Sequence, residues 1–183
     1  LIAAQTLKPS QNLYTELILR TLGKVSPAPT TTPSNIGLTT EDLGLETVKA
    51  FLKGVGIRPE SLVLNDGSGL SRNDMITADA SVQLLTFMSR HRYADVFRAA
   101  LPIAGVDGTL RTRFRNTPAE NNLRAKTGSL SSAASLSGYV TSAAGEKLVF
   151  SIMVNNYPRD VEPRLICIDP IAVLLASFTG KSE

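Results

Sequence analysis

Apolar residues recur along this chain first at the helical period and later at alternate positions. Leu13, Leu17, Ile18 and Leu22 share one face of a helical segment that Pro9 and Ser10 start and Gly23 ends. Ser26 to Ser34 is rich in Pro and Thr, which predicts an exposed loop. Val48, Phe51 and Leu52 then predict a helix from Glu46 to Val55. A short apolar run, Ser61 to Leu64, reads as extended and leads into Asn65-Asp66-Gly67-Ser68-Gly69, a tight turn. Thr77, with Asp79 after it, caps a helix to about Arg90 that points Val82, Leu84, Leu85 and Met88 inward. Tyr93 to Ala100 predicts a further short helix, and Leu101 to Pro118 a loop.

The period then drops to two. Leu123 to Thr127, Ala134 to Thr141 and Lys147 to Asn155 read as strands, with Ser142 to Glu146 as the hairpin between the last two. Arg159 to Phe178 reads as a closing helix with a kink or a late start at Pro170. Helices followed by an antiparallel hairpin and a terminal helix give an α+β layout.

With 183 residues, 43% of them apolar, the chain can bury a sizeable core and reads as one domain. Its most apolar stretch, Ile166 to Phe178, contains Asp169 and Pro170 and is too short to span a bilayer. Cys167 is the single cysteine, so no internal disulfide is possible, and Leu165, Ile166 and Ile168 around it predict a buried structural thiol. A net charge of +3 is mild, and aromatics are only 5% with no Trp. Arg90-His91-Arg92 and the alternating Arg111, Arg113 and Arg115 therefore read as solvated surface rather than a nucleic-acid face. His91 stands at a helix end, and without a second His or a cysteine cluster neither a metal site nor another cofactor is expected. Leu1-Ile2-Ala3-Ala4-Gln5 lacks a basic n-region, so the chain is expected to be the carboxy-terminal part of a longer polypeptide.

Two motifs carry the chemistry. Lys126-Thr127-Gly128 is a K-T-G signature, which chance would produce only a few per cent of the time, roughly, in a chain this long. Ser71-Arg72-Asn73 is an S-x-N signature inside Asp66-Gly67-Ser68-Gly69-Leu70-Ser71-Arg72-Asn73. A second S-x-N, Ser10-Gln11-Asn12, falls at a helix start, where capping explains it. The companion signature S-x-x-K is missing, since no serine has a lysine three residues on. Thr21-Leu22-Gly23-Lys24 is the threonine version, at a helix end.

Together with Ser10 to Glu16 and Leu123 to Val140, these runs resemble the D-alanyl-D-alanine carboxypeptidase/endopeptidase family. These are the S13 peptidases, or low-molecular-mass class C penicillin-binding proteins. The resemblance implies a β-lactamase/DD-peptidase-like transpeptidase fold, an antiparallel sheet flanked by helices, incomplete here. Residues 1–183 would be the C-terminal part of one penicillin-binding domain, with the nucleophile helix upstream and apolar sheet surface left exposed. It implies an acyl-enzyme mechanism on peptidoglycan stem peptides ending in D-Ala-D-Ala, trapping by β-lactam antibiotics, no cofactor, and a periplasmic or extracytoplasmic location.

The resemblance also implies roles. Ser71 would relay a proton beside the Lys126 cation, and the Asn73 amide would orient a lysine and grip the substrate. Thr127 would bind the substrate's terminal carboxylate, and Gly128 would leave room for its backbone. The Ser129 N–H would be one oxyanion-hole donor. The bland alternatives are that Ser71 and Asn73 form a turn, that Lys126 is a solvated strand residue, and that Ser129 to Ser137 is a serine-rich hairpin surface. Arg124 reads equally as a carboxylate partner or as an edge-strand charge. Two other functions are open: a serine β-lactamase, which shares these motifs but for which no candidate carboxylate motif for deacylation is seen near either signature, and a non-catalytic muropeptide-binding domain that retains the cleft but not the nucleophile.

Overall fold

The structure is a computed structural model that describes residues 2–26 and 37–181. Its elements, in chain order, are α1 (Ile2–Leu7), α2 (Asn12–Val25), α3 (Thr40–Gly54), β1 (Leu62–Val63), β2 (Met75–Ile76), α4 (Ala78–Arg90) and α5 (Ala94–Ala100), then β3 (Arg124–Leu130), β4 (Ala133–Thr141), β5 (Lys147–Asn155) and α6 (Asp169–Ser177). Two compact units emerge: Gln11–Leu84, and Leu1–Ser10 with Leu85–Glu183. The division falls inside α4.

In the Gln11–Leu84 unit, α2 and α3 pack backbone to backbone. A Cβ on Gly23 would collide with the Thr40 carbonyl, and one on Gly44 with the Leu19 carbonyl. Helix α3 begins at Thr40, six residues before the Glu46 start expected from hydrophobic spacing. The cause is a capping box: Asp42 N donates to Thr39 Oγ1 at 3.2 Å and Thr39 N donates to Asp42 Oδ2 at 2.8 Å. Leu52, Ile57 and Ala80 form the buried centre of this unit. Thr77 caps α4 as expected, its hydroxyl accepting from Ala80 N at 3.1 Å. Beyond Ser26, the Pro- and Thr-rich loop expected over Ser26–Ser34 lies outside the described residues.

The other unit is built on an antiparallel sheet of order β3-β4-β5, so β3 is an edge strand, as its motif predicts. Ala125, Leu136, Val140 and Phe150 share one face and pack with Leu110, Leu123, Ile168, Ala172 and Ala176. Each fully buried Leu, Ile or Val side chain among them contributes about 1.5–3 kcal/mol. On the opposite face Tyr139 and Val149 meet Leu7, Leu85, Phe97 and Leu101. The closing helix starts late: a π-helical turn, Arg164–Ile168, precedes α6, whose first turn holds Pro170.

Two expectations change here. Cys167 is half-buried rather than buried, because Leu165 and Ile166 lie on the outer side of the π turn, each 69% exposed, and only Ile168 turns inward. The larger apolar exposure lies along Leu165, Ile166, Ile171, Leu174 and Phe178, not on the sheet, where Phe150 is buried and Leu148, Ile152 and Val154 are half-buried. His91 keeps the helix-end place expected of it. Its Nδ1 accepts from Tyr93 N at 3.3 Å, and its ring lies between Phe87 and Tyr93.

Candidate active site

Strand alternation determines where the K-T-G residues point. In the β3–β4–β5 register Lys126 lies beside Ser137 and Ser151, whereas Thr127 lies beside Leu136. Lys126 thus projects from the face opposite the Leu136–Phe150 core. Its ammonium donates to Ser10 Oγ at 2.7 Å and to its neighbour's carbonyl, Thr127 O, also at 2.7 Å. Burial pulls the lysine below its ordinary pKa. Lys126 is therefore no solvated strand residue.

The serine it meets is the one that sequence reasoning assigned to helix capping. That assignment is corrected by the backbone. Gln11 is the cap of α2 and makes no side-chain cap bond, while Ser10 lies one residue earlier with φ +60°. A non-glycine residue in that left-handed region is uncommon and needs its surroundings to hold it there. Ser10 and Lys126 are 116 residues apart in sequence, so spacing alone gives no hint of the contact. The available signal was chemical: Ser10-Gln11-Asn12 is itself an S-x-N.

The outer edge of β3 is covered at one end and open at the other. Ala125 N donates to Pro102 O at 3.1 Å, and Ile103 bridges to Arg124. Alternation then turns the N–H and C=O groups of Thr127 and Ser129 outward as well. Among the described residues no backbone group pairs with them there. The Thr127 hydroxyl donates to Thr109 Oγ1 at 3.0 Å. A Cβ on Gly128 would run into the Ser135 hydroxyl on β4, which gives this glycine a reason within the sheet.

Ser71 and Asn73 belong to the Gln11–Leu84 unit, in a loop organised by carboxylates. Asp66 accepts from Ser71 N at 2.8 Å and from Ser68 Oγ at 3.2 Å, as well as from Gly69 N. Desolvation pushes the Asp66 pKa up, but these donors outweigh it and leave it below the usual value. Glu16 of α2 accepts from Gly67 N at 3.1 Å and Ser68 N at 3.0 Å. Within this frame Ser71 Oγ accepts from Asn73 N at 3.2 Å and Ser71 O from Asp74 N at 3.2 Å, the bonds of a turn former.

No group of three metal-ligating side chains occurs among the described residues, and no described helix is long and apolar enough to cross a membrane.

Comparison with known proteins gives a consistent result. The model of the D-Ala-D-Ala carboxypeptidase 3 (S13) family matches residues 2–177. A D-alanyl-D-alanine carboxypeptidase of an Actinomadura species is 41% identical over 95% of this chain and 31% of its own length. Penicillin-sensitive carboxypeptidase A of Dictyostelium discoideum is 36% identical over 97% of this chain and 34% of its own. The crystal structure of penicillin binding protein 4 (dacB) from Haemophilus influenzae, in complex with a β-lactam, superposes with a TM-score of 0.80. It is 26% identical and covers 97% of this chain and 41% of that one. The α+β layout with its antiparallel sheet is the fold these proteins share. A β-lactamase from Sphaerobacter thermophilus, 19% identical with a TM-score of 0.62 over 96% of this chain and 60% of its own, shares that fold alone. The chain spans about a third of the length of the curated relatives it matches.

Proposed function

We propose, because this chain belongs to the D-Ala-D-Ala carboxypeptidase 3 (S13) family, that it supplies the K-T-G side of a serine-type DD-peptidase cleft. The protein would act on peptidoglycan peptides ending in D-Ala-D-Ala, outside the cytoplasm, and would be acylated by β-lactams. Residues 1–183 would be the C-terminal part of one penicillin-binding domain, the nucleophile lying outside them.

One observation carries the site assignment: the half-buried Lys126 ammonium donates to Ser10 Oγ at 2.7 Å. On that bond we assign the serine of the S-x-N signature to Ser10 and give Ser71 and Asn73 the turn role that their bonds support. A hydroxyl can accept from Lys126 while donating onward, so Ser10 is suited to pass a proton to the departing D-alanine nitrogen. Burial favours the neutral lysine, which makes giving up that proton less costly than for a lysine in water. The open β3 edge at Thr127 and Ser129 suits an extended peptide that adds as a strand, with Ser129 N–H as one oxyanion donor. Thr127, paired with Thr109, would meet the terminal carboxylate, and Gly128 would leave room for the substrate backbone.

The test uses the polypeptide of the complete reading frame and the rate of acylation by a fluorescent penicillin. Ser10→Ala is expected to slow acylation about 10²–10⁴-fold, the usual worth of positioned proton transfer. Ser71→Ala should keep the rate and lower thermal stability. The opposite pattern would return the relay to Ser71, and wild-type rates in both variants would remove the site from this chain.

A further inference from the structure

We infer that Lys8 and Asp107 are positioning residues that hold Ser10 against Lys126, an inference that rests on the site proposed above. No helix spans Ser10: α1 ends at Leu7 and α2 opens at Asn12. Helical hydrogen bonds therefore cannot fix its backbone, and yet that backbone is held in the left-handed region. The restraint comes from the loop between α5 and β3. Lys8 Nζ donates to Leu101 O at 3.0 Å and to the Asp107 carboxylate, whose other oxygen accepts from Ile103 N at 2.9 Å. The Lys8 carbonyl accepts from Thr109 N at 3.0 Å. Both ends of Lys8 are thus gripped, its side chain by Leu101 and Asp107 and its backbone by Thr109.

The same loop is fastened to β3. Pro102 O accepts from Ala125 N, Ile103 bridges to Arg124, and the Thr109 hydroxyl accepts from Thr127. Residues 101–109 therefore touch the Ser10 segment on one side and the Lys126 strand on the other, at Lys8, two residues from Ser10, and at Ala125 and Thr127, the neighbours of Lys126. The Lys8 and Asp107 side chains are 23% and 34% exposed, partly shielded from competing water. Neither has a chemical part in the proposed proton transfer. Their effect is on the Ser10–Lys126 separation, and a small misplacement at such a contact costs rate steeply.

A mutant cycle in the polypeptide of the complete reading frame separates positioning from mere support. Asp107→Asn keeps the side-chain shape and removes the charge that holds Lys8. It should slow acylation by fluorescent penicillin roughly tenfold, with the melting temperature and the final labelled fraction unchanged. In a Ser10→Ala background Asp107→Asn should cost nothing more, because the hydroxyl it positions is gone. Lys8→Met should reproduce the loss and fail to add to Asp107→Asn, and it supplies the same cycle if the Asn variant proves insoluble. Wild-type acylation in both single variants overturns the inference, as does an equal slowing with and without the Ser10 hydroxyl. A Ser10→Ala protein that acylates normally overturns the site proposal itself, and this inference with it, whatever Asp107→Asn does.

Discussion

Lys126→Met separates what the lysine does for chemistry from what it does for the fold. Methionine matches its length without the charge or the donors. Two bonds are lost, to Ser10 Oγ and Thr127 O, both at 2.7 Å. Bonds from a charged donor are each worth about 1.5–3 kcal/mol. Against that loss stands the cost of burying the ammonium, which holds the lysine below its ordinary pKa. Because the two effects oppose each other, stability at neutral pH should change little. Acylation should fall by about 10²–10⁴, or roughly 3–5 kcal/mol of barrier, since the relay loses its cation. The pH dependence supplies a separate check. Between the folded pKa and the ordinary lysine value of 10.5 the unfolded chain binds more protons than the fold, so wild-type stability climbs with pH across that window. In Lys126→Met that climb should vanish. Denaturant titrations of the complete reading-frame protein at neutral and alkaline pH, beside stopped-flow penicillin acylation, measure all of this. Normal acylation would refute the role, and a loss of several kcal/mol at neutral pH would make Lys126 a structural strut instead.

Two other outcomes are expected. Gly44→Ala places a methyl against the Leu19 carbonyl and should destabilise the α2–α3 pair by about 1–3 kcal/mol or more, read as a lower denaturation midpoint; an unchanged midpoint would mean the helices separate freely. Residues 1–183 alone contain no Ser-x-x-Lys and should not label with fluorescent penicillin; saturable, hydroxylamine-sensitive labelling would reveal a nucleophile among them.

Strong local patterns were legible in the sequence. Alternation over β4 and β5 gave strands that agree with the structure to within a residue, and Thr77 and Arg90 bound α4 closely. The expected strand at Leu123–Thr127 ended too soon, because Gly128 and Ser129 break the apolar rhythm there. Those residues serve the open edge rather than the core, so hydrophobic spacing could not register them. Helix α1 and strand β2 were too short to leave a period at all. At the site, Lys126 could be found from K-T-G alone. Ser10 of the proposed site was hidden because serine before a helix has a common local explanation, and its bond to Lys126 spans 116 residues of sequence. In the Asp66 loop the S-x-N pattern coincides with turn bonds from the Ser71 and Asn73 backbone N–H groups, which residue spacing could not reveal.

The left-handed backbone of Ser10 has an evolutionary consequence. Glycine, and to a lesser degree asparagine, would occupy φ +60° with less steric cost. Neither brings a hydroxyl to Lys126. Selection for folding and selection for turnover therefore pull position 10 toward different residues, and serine is the answer only while turnover counts. In a library screened purely for thermal tolerance, glycine and asparagine should accumulate there. In a lineage that kept the fold as a binding scaffold and dropped the chemistry, this position should be among the first to drift.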